Sequence, residues 1–250
     1  MKLGNIKPLV EGAKSSFRGT ASSKEELIAS IENGYFTLDG RKMKDNVCFY
    51  GGKGLKSLIG MPEKARGNVF VGNNEIADLE GCPKEVPDSF RCSNNKLTSI
   101  KNGPTSVGMA YICSHNLLTD LRGCPETVNN LIADSNQITT LEGCPRFIQN
   151  ELQVTNNKIT SLHGIDSFIK MFSSKGTIDL TGNPVKECVL GVLLIPGLLV
   201  IRMDNNKVES ILNEYLQKVK HLDSRKERNK LLMECQSIML DAGLDDFAQL

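Results

Sequence analysis

Apolar residues recur along this chain in short alternating stretches: Val69-x-Val71, Phe90-x-Cys92, Tyr111-x-Cys113, Leu131-x-Ala133, Leu152-x-Val154, Ile178-x-Leu180 and Ile201-x-Met203. A period of two places alternate side chains on opposite faces of a strand, so each stretch predicts a strand with one buried face. A further apolar residue follows each stretch at constant distance: Ile76, Leu97, Leu118, Ile138, Ile159, Val185 and Val208. Between them lies an Asn, at 74, 95, 116, 136, 157, 183 and 206, where the chain leaves the strand. A buried Asn amide both donates and accepts, which suits backbone groups that a turn leaves unpaired. Stacked copies therefore predict a ladder of Asn side chains.

The stretches sit on a longer lattice. Pro62, Pro83, Pro104, Pro125 and Pro145 are spaced 21, 21, 21 and 20 residues apart. Gly60, Gly81, Gly123, Gly143 and Gly164 share a phase, with Asn102 as its sixth member. Gly and Asn best tolerate positive φ, so a left-handed corner is expected at all six, followed by a Pro that fixes the next φ. Too few residues remain in each unit for a long helix, and the return leg should be extended or made of short turns.

The unit apolar-x-apolar-x-x-Asn-x-apolar-x-x-apolar, repeated in phase over residues 47–212, resembles a leucine-rich repeat. The resemblance implies an α/β repeat solenoid, a horseshoe whose parallel strands line a concave β-sheet. Residues 1–46 are expected to form an N-terminal α/β cap. Ser22 to Glu26 reads as a helix start ahead of Leu27, Ile28 and Ile31, and Tyr35 to Arg41 as a strand and turn. Val47 to Leu58 reads as a degenerate first unit, with Lys53 at the Asn phase. Val185 to Ile195 predicts a convex-side helix ending near Pro196. From 206 onward the pattern is helical. One stripe is Val208, Ile211, Leu212, Tyr215, Leu216 and Val219; the other is Leu231, Leu232, Cys235, Ile238, Met239 and Leu240, stopped by Gly243. Residues 213–250 are thus expected to be a helical C-terminal cap.

Composition narrows the function. Thirty basic residues balance 29 acidic ones, which removes the simplest argument for nucleic acid or an anionic membrane. The longest apolar run, Val189 to Ile201, is broken by Pro196 and Gly197 and falls short of the ~20 residues of a membrane span. No apolar export signal is legible, so a cytoplasmic protein is expected. Seven of the 21 Asn fall at the ladder phase. Of eight Cys, Cys82, Cys124 and Cys144 share one phase, while Cys92 and Cys113 take the inward strand position held elsewhere by Val71, Ala133 and Val154. They read as small buried hydrophobes. No CxxC occurs and the three His are dispersed, so no metal or cofactor is expected. No catalytic motif is found. The basic run Arg225 to Lys230 reads as a solvated helix face, with a nucleic-acid or acidic-protein contact as the alternative.

The strand residues pointing away from the core are the candidate binding surface. The central row is Phe70, Arg91, Ile112, Ile132, Gln153, Asp179 and Arg202, with His115 at its edge. Phe70, Ile112 and Ile132 put large apolar groups around Arg91, which favours a protein contact. Eight strands would span ~34 Å, enough for an ordinary interface but without the deep cavity of a small-molecule site. The Leu-x-Gly-Cys-Pro-x-x-Val unit is similar to repeat proteins of large tailed bacteriophages, as is Leu232-Met-Glu-Cys-Gln with Ala242-Gly-Leu to their tails. That resemblance implies a phage protein made in the host bacterial cytoplasm. The reading is a non-catalytic module whose concave face binds, and inhibits or retargets, a host or defence protein. Oligomeric state is left open. The alternatives are a structural or adaptor component of a phage particle, and a type III effector-like ubiquitin ligase. Related ligases carry a nucleophilic Cys in a large added helical domain, whereas here Cys235 lies on an apolar stripe in a short tail.

Overall fold

The structure is a computed structural model that describes residues 31–32, 35–36, 47–49, 52, 54–61, 65–222 and 224–249. Two short strands, β1 (Ile31–Glu32) and β2 (Tyr35–Phe36), form an antiparallel pair. The strand expected at Tyr35 is thus present, and Ile31 belongs to a strand where a helix was expected. Ser22 to Ile28, Thr37 to Arg41, Lys53 and Pro62 lie outside the described residues.

The rest of the chain winds as a parallel-strand solenoid of about six turns. Its strands are β3 (Val47–Phe49), β4 (Asn68–Phe70), β5 (Glu85–Val86), β6 (Phe90–Arg91), β7 (Ser106–Val107), β8 (Ala110–Ile112), β9 (Thr127–Ile132) and β10 (Phe147–Gln153). A one-turn helix α1 (Ile165–Phe168), β11 (Met171–Phe172), β12 (Gly176–Asp179) and β13 (Leu198–Arg202) follow, then helices α2 (Asn206–Val219) and α3 (Arg225–Asp241). The main sheet runs in the order β13-β12-β10-β9-β8-β6-β4-β3, every pair parallel. Return legs are extended, as expected. β5 pairs with β7, and the first residues of β9, β10 and β11 pair with one another in the same fashion. β9 and β10 pass from the return side into the main sheet through a register shift between Ile148 and Glu151.

The alternating pattern explains the core. Val69, Phe90, Tyr111, Leu131, Leu152, Ile178 and Ile201 are all fully buried, as are Val86, Val128 and Ile148 on the return legs. The Asn ladder forms over six rungs. Asn95 Oδ1 accepts from Ile76 N–H at 3.0 Å, and its Nδ2 donates to Val71 O at 3.0 Å and Cys92 O at 2.9 Å. Asn116, Asn136, Asn157 and Asn183 repeat this, each joining its own turn to the one before. Asn74 supplies the first rung, to Leu55 N–H and Val71 O. Asn206 is not a rung. It is the exposed first residue of α2, and its neighbour Asn205 caps that helix by accepting from Val208 N–H.

The corner glycines have positive φ, 88° at Gly81, where an added Cβ would meet the backbone of Leu58 and Ile59. Asn102 departs from the expectation: it is not left-handed, although the same tight turn closes through Gly103 N–H to Ile100 O. A second left-handed column was not read from the sequence. Asn73, Asn94, His115, Ser135 and Asn156, each just before a ladder Asn, have φ of 53–56°. Asn is the side chain that best tolerates this geometry after Gly, which accounts for three more of the Asn.

After Leu162 the regular unit lengthens. Instead of a helix over 185–195, the chain stays extended and then makes a 3-10 helix at Leu190–Leu194. Val189, Gly191 and Val192 are poor α-helix formers, and Cys188 is left-handed. α2 buries Val208, Leu212, Tyr215, Leu216 and Val219. α3 buries Leu232, Cys235 and Met239 but leaves Ile238 and Leu240 exposed. α2 also seals the outer edge of β13. Asn213 Oδ1 accepts from Ile201 N–H and its Nδ2 donates to Ile201 O, both at 2.8 Å. Glu209 accepts from Met203 N–H at 2.7 Å, and Gln217 donates to Leu199 O at 3.0 Å. A polar row at four-residue spacing thus replaces the missing neighbouring strand, whose absence would leave a sheet edge open to aggregation.

Candidate functional site

Strand register brings the whole central row together. Phe70 lies opposite Arg91, Arg91 opposite Ile112, and Ile112 opposite Ile132. The row continues through Gln153 and Asp179 to Arg202. Phe49 extends it in register beyond Phe70. His115 does not join the row: its backbone turns left-handed at the corner beyond Cys113, and it stands exposed there.

The two halves of the row differ. Phe70, Ile112 and Ile132 are half-buried, and Arg91 is exposed among them. The flanking outward residues beside Arg91 and Ile112 are small: Ser89 and Ala110 on one side, Ser93 and Ser114 on the other. These two therefore stand up as a ridge, while Asn68 flanks Phe70, and Asn130 and Asp134 flank Ile132. In the second half the polar groups are bonded to one another. Asp134 accepts from Gln153 Nε2 at 2.8 Å, from Thr155 Oγ1 at 2.9 Å and from Thr155 N–H at 3.0 Å. Asp179 accepts from Thr181 Oγ1 at 2.7 Å and pairs with Arg202 at 3.5 Å. Partial burial raises the Asp134 carboxyl above the usual aspartate range, against lowering contributions from Thr155 and His115. Asp134 and Thr155 occupy the same repeat phase, two residues past the central row. Sequence reasoning missed this pair, although the shared phase is the signal that could have found it.

The cysteines lie in the core. Cys92, Cys113, Cys124, Cys144, Cys188 and Cys235 are free thiols, and Cys82 is buried. Burial pushes Cys113, Cys144 and Cys235 up to about 12, which holds them protonated and weakly nucleophilic near neutrality. Among the described residues no group of three or more His, Cys, Asp or Glu is placed to hold a metal ion. No described helix is long and apolar enough to cross a membrane.

The basic run on α3 is partly structural. Arg228 is buried and donates to Leu222 O at 2.9 Å and Leu193 O at 3.4 Å, tying α3 to the 3-10 helix. Arg225 reaches Asp166 at 3.6 Å. A shallow groove of about 500 Å³ lies on the return side, lined by Cys124, Glu126, Arg146, Phe168 and Lys170 among others. Its charges are of both signs and its thiols belong to the core. Compared with family models, with curated proteins and with solved structures, the chain matches none.

Proposed function

We propose that the chain is a leucine-rich-repeat horseshoe acting as a non-catalytic protein-binding module, with the outward row on its concave face. The β1–β2 segment and the α2–α3 pair serve as its N- and C-terminal caps. The observation that carries the reading is the row itself. Three half-exposed apolar side chains and one exposed Arg stand in register on adjacent strands, beside buried positions that repeat. A surface of this kind supplies both the apolar area and the Arg anchor of a protein interface. The resemblance of the repeat unit to phage repeat proteins supports a target in a bacterial cytoplasm, where occlusion of a host or defence protein is the expected mode of action.

The test is affinity capture from bacterial lysate with the whole chain and with the double variant Arg91→Glu, Ile132→Asp. Thermal unfolding followed by circular dichroism checks that the variant is folded. A protein held by the parent and lost by the folded variant supports the reading. The same captured set on both overturns it. Recovery of the chain in purified phage particles would favour the structural or adaptor role instead.

A further inference from the structure

We infer that the partner segment seated on this row presents a single carboxylate, flanked by apolar side chains, to Arg91. The inference rests on the protein-binding reading and specifies its chemistry.

Arg91 is exposed, and its strand neighbours in the row are Phe70 and Ile112. It makes no ion pair among the described residues. Arg202, Arg122 and Arg225 each face a carboxylate within the chain, whereas Arg66 and Arg146 form no ion pair among the described residues but lie off the row. Two acidic groups beside the apolar half of the row are already engaged. Asp88 accepts from Asn68 Nδ2 at 3.3 Å, and Asp134 is held by Gln153 and Thr155. A partner that covers Phe70, Ile112 and Ile132 also covers the guanidinium between them and strips its water. A charge buried without a counter-charge is strongly unfavourable, so an apolar partner alone would be repelled from the centre of its own footprint. The planar fork of Arg matches a carboxylate through two parallel N–H···O bonds.

The count of charges selects a carboxylate over a phosphate. Phosphorylated and nucleic-acid ligands carry more negative charge and are met by clusters of Arg or Lys. Here the next cation in the row is Arg202, five strands further on and paired with Asp179. Asp134, Asp179 and Asp204 make that end of the face acidic. One guanidinium in an apolar ridge balances one carboxylate. An Asp or Glu side chain and a chain-terminal carboxylate share this chemistry.

A random peptide display library, with free and with blocked C-termini, is selected on the whole chain and on the variants Arg91→Glu, Arg91→Gln and Ile132→Asp, each checked for fold by thermal unfolding. The parent is expected to enrich peptides with an acidic group beside apolar residues. Enrichment only with free C-termini assigns the charge to the terminus, and with either form to a side chain. Arg91→Gln should weaken a synthetic peptide so selected by about tenfold or more. Arg91→Glu should invert the preference toward Lys or Arg at the same position. If Arg91→Glu still enriches the acidic peptides, the carboxylate assignment is wrong while the binding face stands. If folded Ile132→Asp holds the selected peptide unchanged, the binding face itself is wrong. Enrichment of peptides without an acidic group, or of none at all, also overturns the assignment.

Discussion

On the inner side of the main sheet one residue type performs one task six times; on the outer side of the same strands the chemistry changes at almost every step. Asn74 to Asn183 each join one turn to the turn before it, accepting from an N–H of the earlier turn and donating to a carbonyl of their own. The outer row reads Phe, Arg, Ile, Ile, Gln, Asp, Arg. Period two separates the outer row from the core residues beside it, and the left-handed residue just before each Asn, from Asn73 to Gly182, turns the ladder inward where an unbroken strand would carry it to the outer face. The difference teaches where constraint lies. Repetition marks positions whose neighbours are backbone groups, identical in every turn. Variation marks positions that face outward and answer to something other than the fold.

The sharpest way to test that division is to break one rung. Asn116→Ala removes the acceptor for Leu97 N–H and the donor to Cys92 O and Cys113 O, all buried. Stranding several buried backbone groups should lower stability by about 3 kcal/mol or more. Arg91→Gln, on the outer side of the neighbouring strand, should change it by less than about 0.5 kcal/mol. Urea unfolding midpoints compare the two directly. Equal losses would mean that the inner and outer sides are not divided as described.

A smaller effect comes from a place where the inner side departs from its own pattern. Among the described residues Tyr111 is the largest fully buried side chain, packs on Phe90 with ring centroids 5.2 Å apart, and has a hydroxyl without a hydrogen-bond partner. The next repeat phase explains how it fits. Where other units carry Cys82, Cys124 and Cys144, this one has Gly103, and an added Cβ there would lie 2.8 Å from the Tyr111 hydroxyl. Tyr111→Phe should be neutral or stabilise the chain by about 1 kcal/mol, since it removes an unsatisfied polar atom. Gly103→Ala should destabilise by about 1–3 kcal/mol through overpacking. In the Tyr111→Phe background that loss should shrink measurably, although Leu79 still crowds the site. Strict additivity of the two changes would refute the compensation.

These particulars show what was legible beforehand. Strand positions, the central row and the Asn ladder follow from phase alone, because a repeating contact leaves a repeating residue. Where a contact is made once, phase is silent. The accommodation of Tyr111 by Gly103 is one such case. The sealing of β13 by Glu209, Asn213 and Gln217 is another, since three polar residues on one helix face look solvated until the edge beneath them is seen. Asn206 shows the opposite error. It kept the spacing of the series, yet with no further strand to join it begins a helix. The helix expected at 185–195 is realised only as the 3-10 helix Leu190–Leu194, since Lys186 and Glu187 come early and the run from Cys188 to Ile195, without polar interruptions, carries no period.

The smallest expected effect lies on the outer side, where a polar group is held for the surface rather than for the fold. Partial burial raises the Asp134 carboxyl above its ordinary value, so the folded state favours its protonated form more than the unfolded chain does. The stability tied to that proton is present below the ordinary aspartate value of ~3.9 and is lost as pH rises through the folded value. Asp134→Asn keeps an acceptor for Thr155 N–H and cannot ionise. Relative to this variant, the parent should therefore be least stable near neutral pH and should gain on it as pH falls through the acid range. Paired urea midpoints at neutral pH and below the usual aspartate range test this. A gap that stays constant would show that Gln153 and Thr155 compensate fully for the burial of the charge. The network would then be neutral to the fold at every pH, as the rest of the outer row is argued to be.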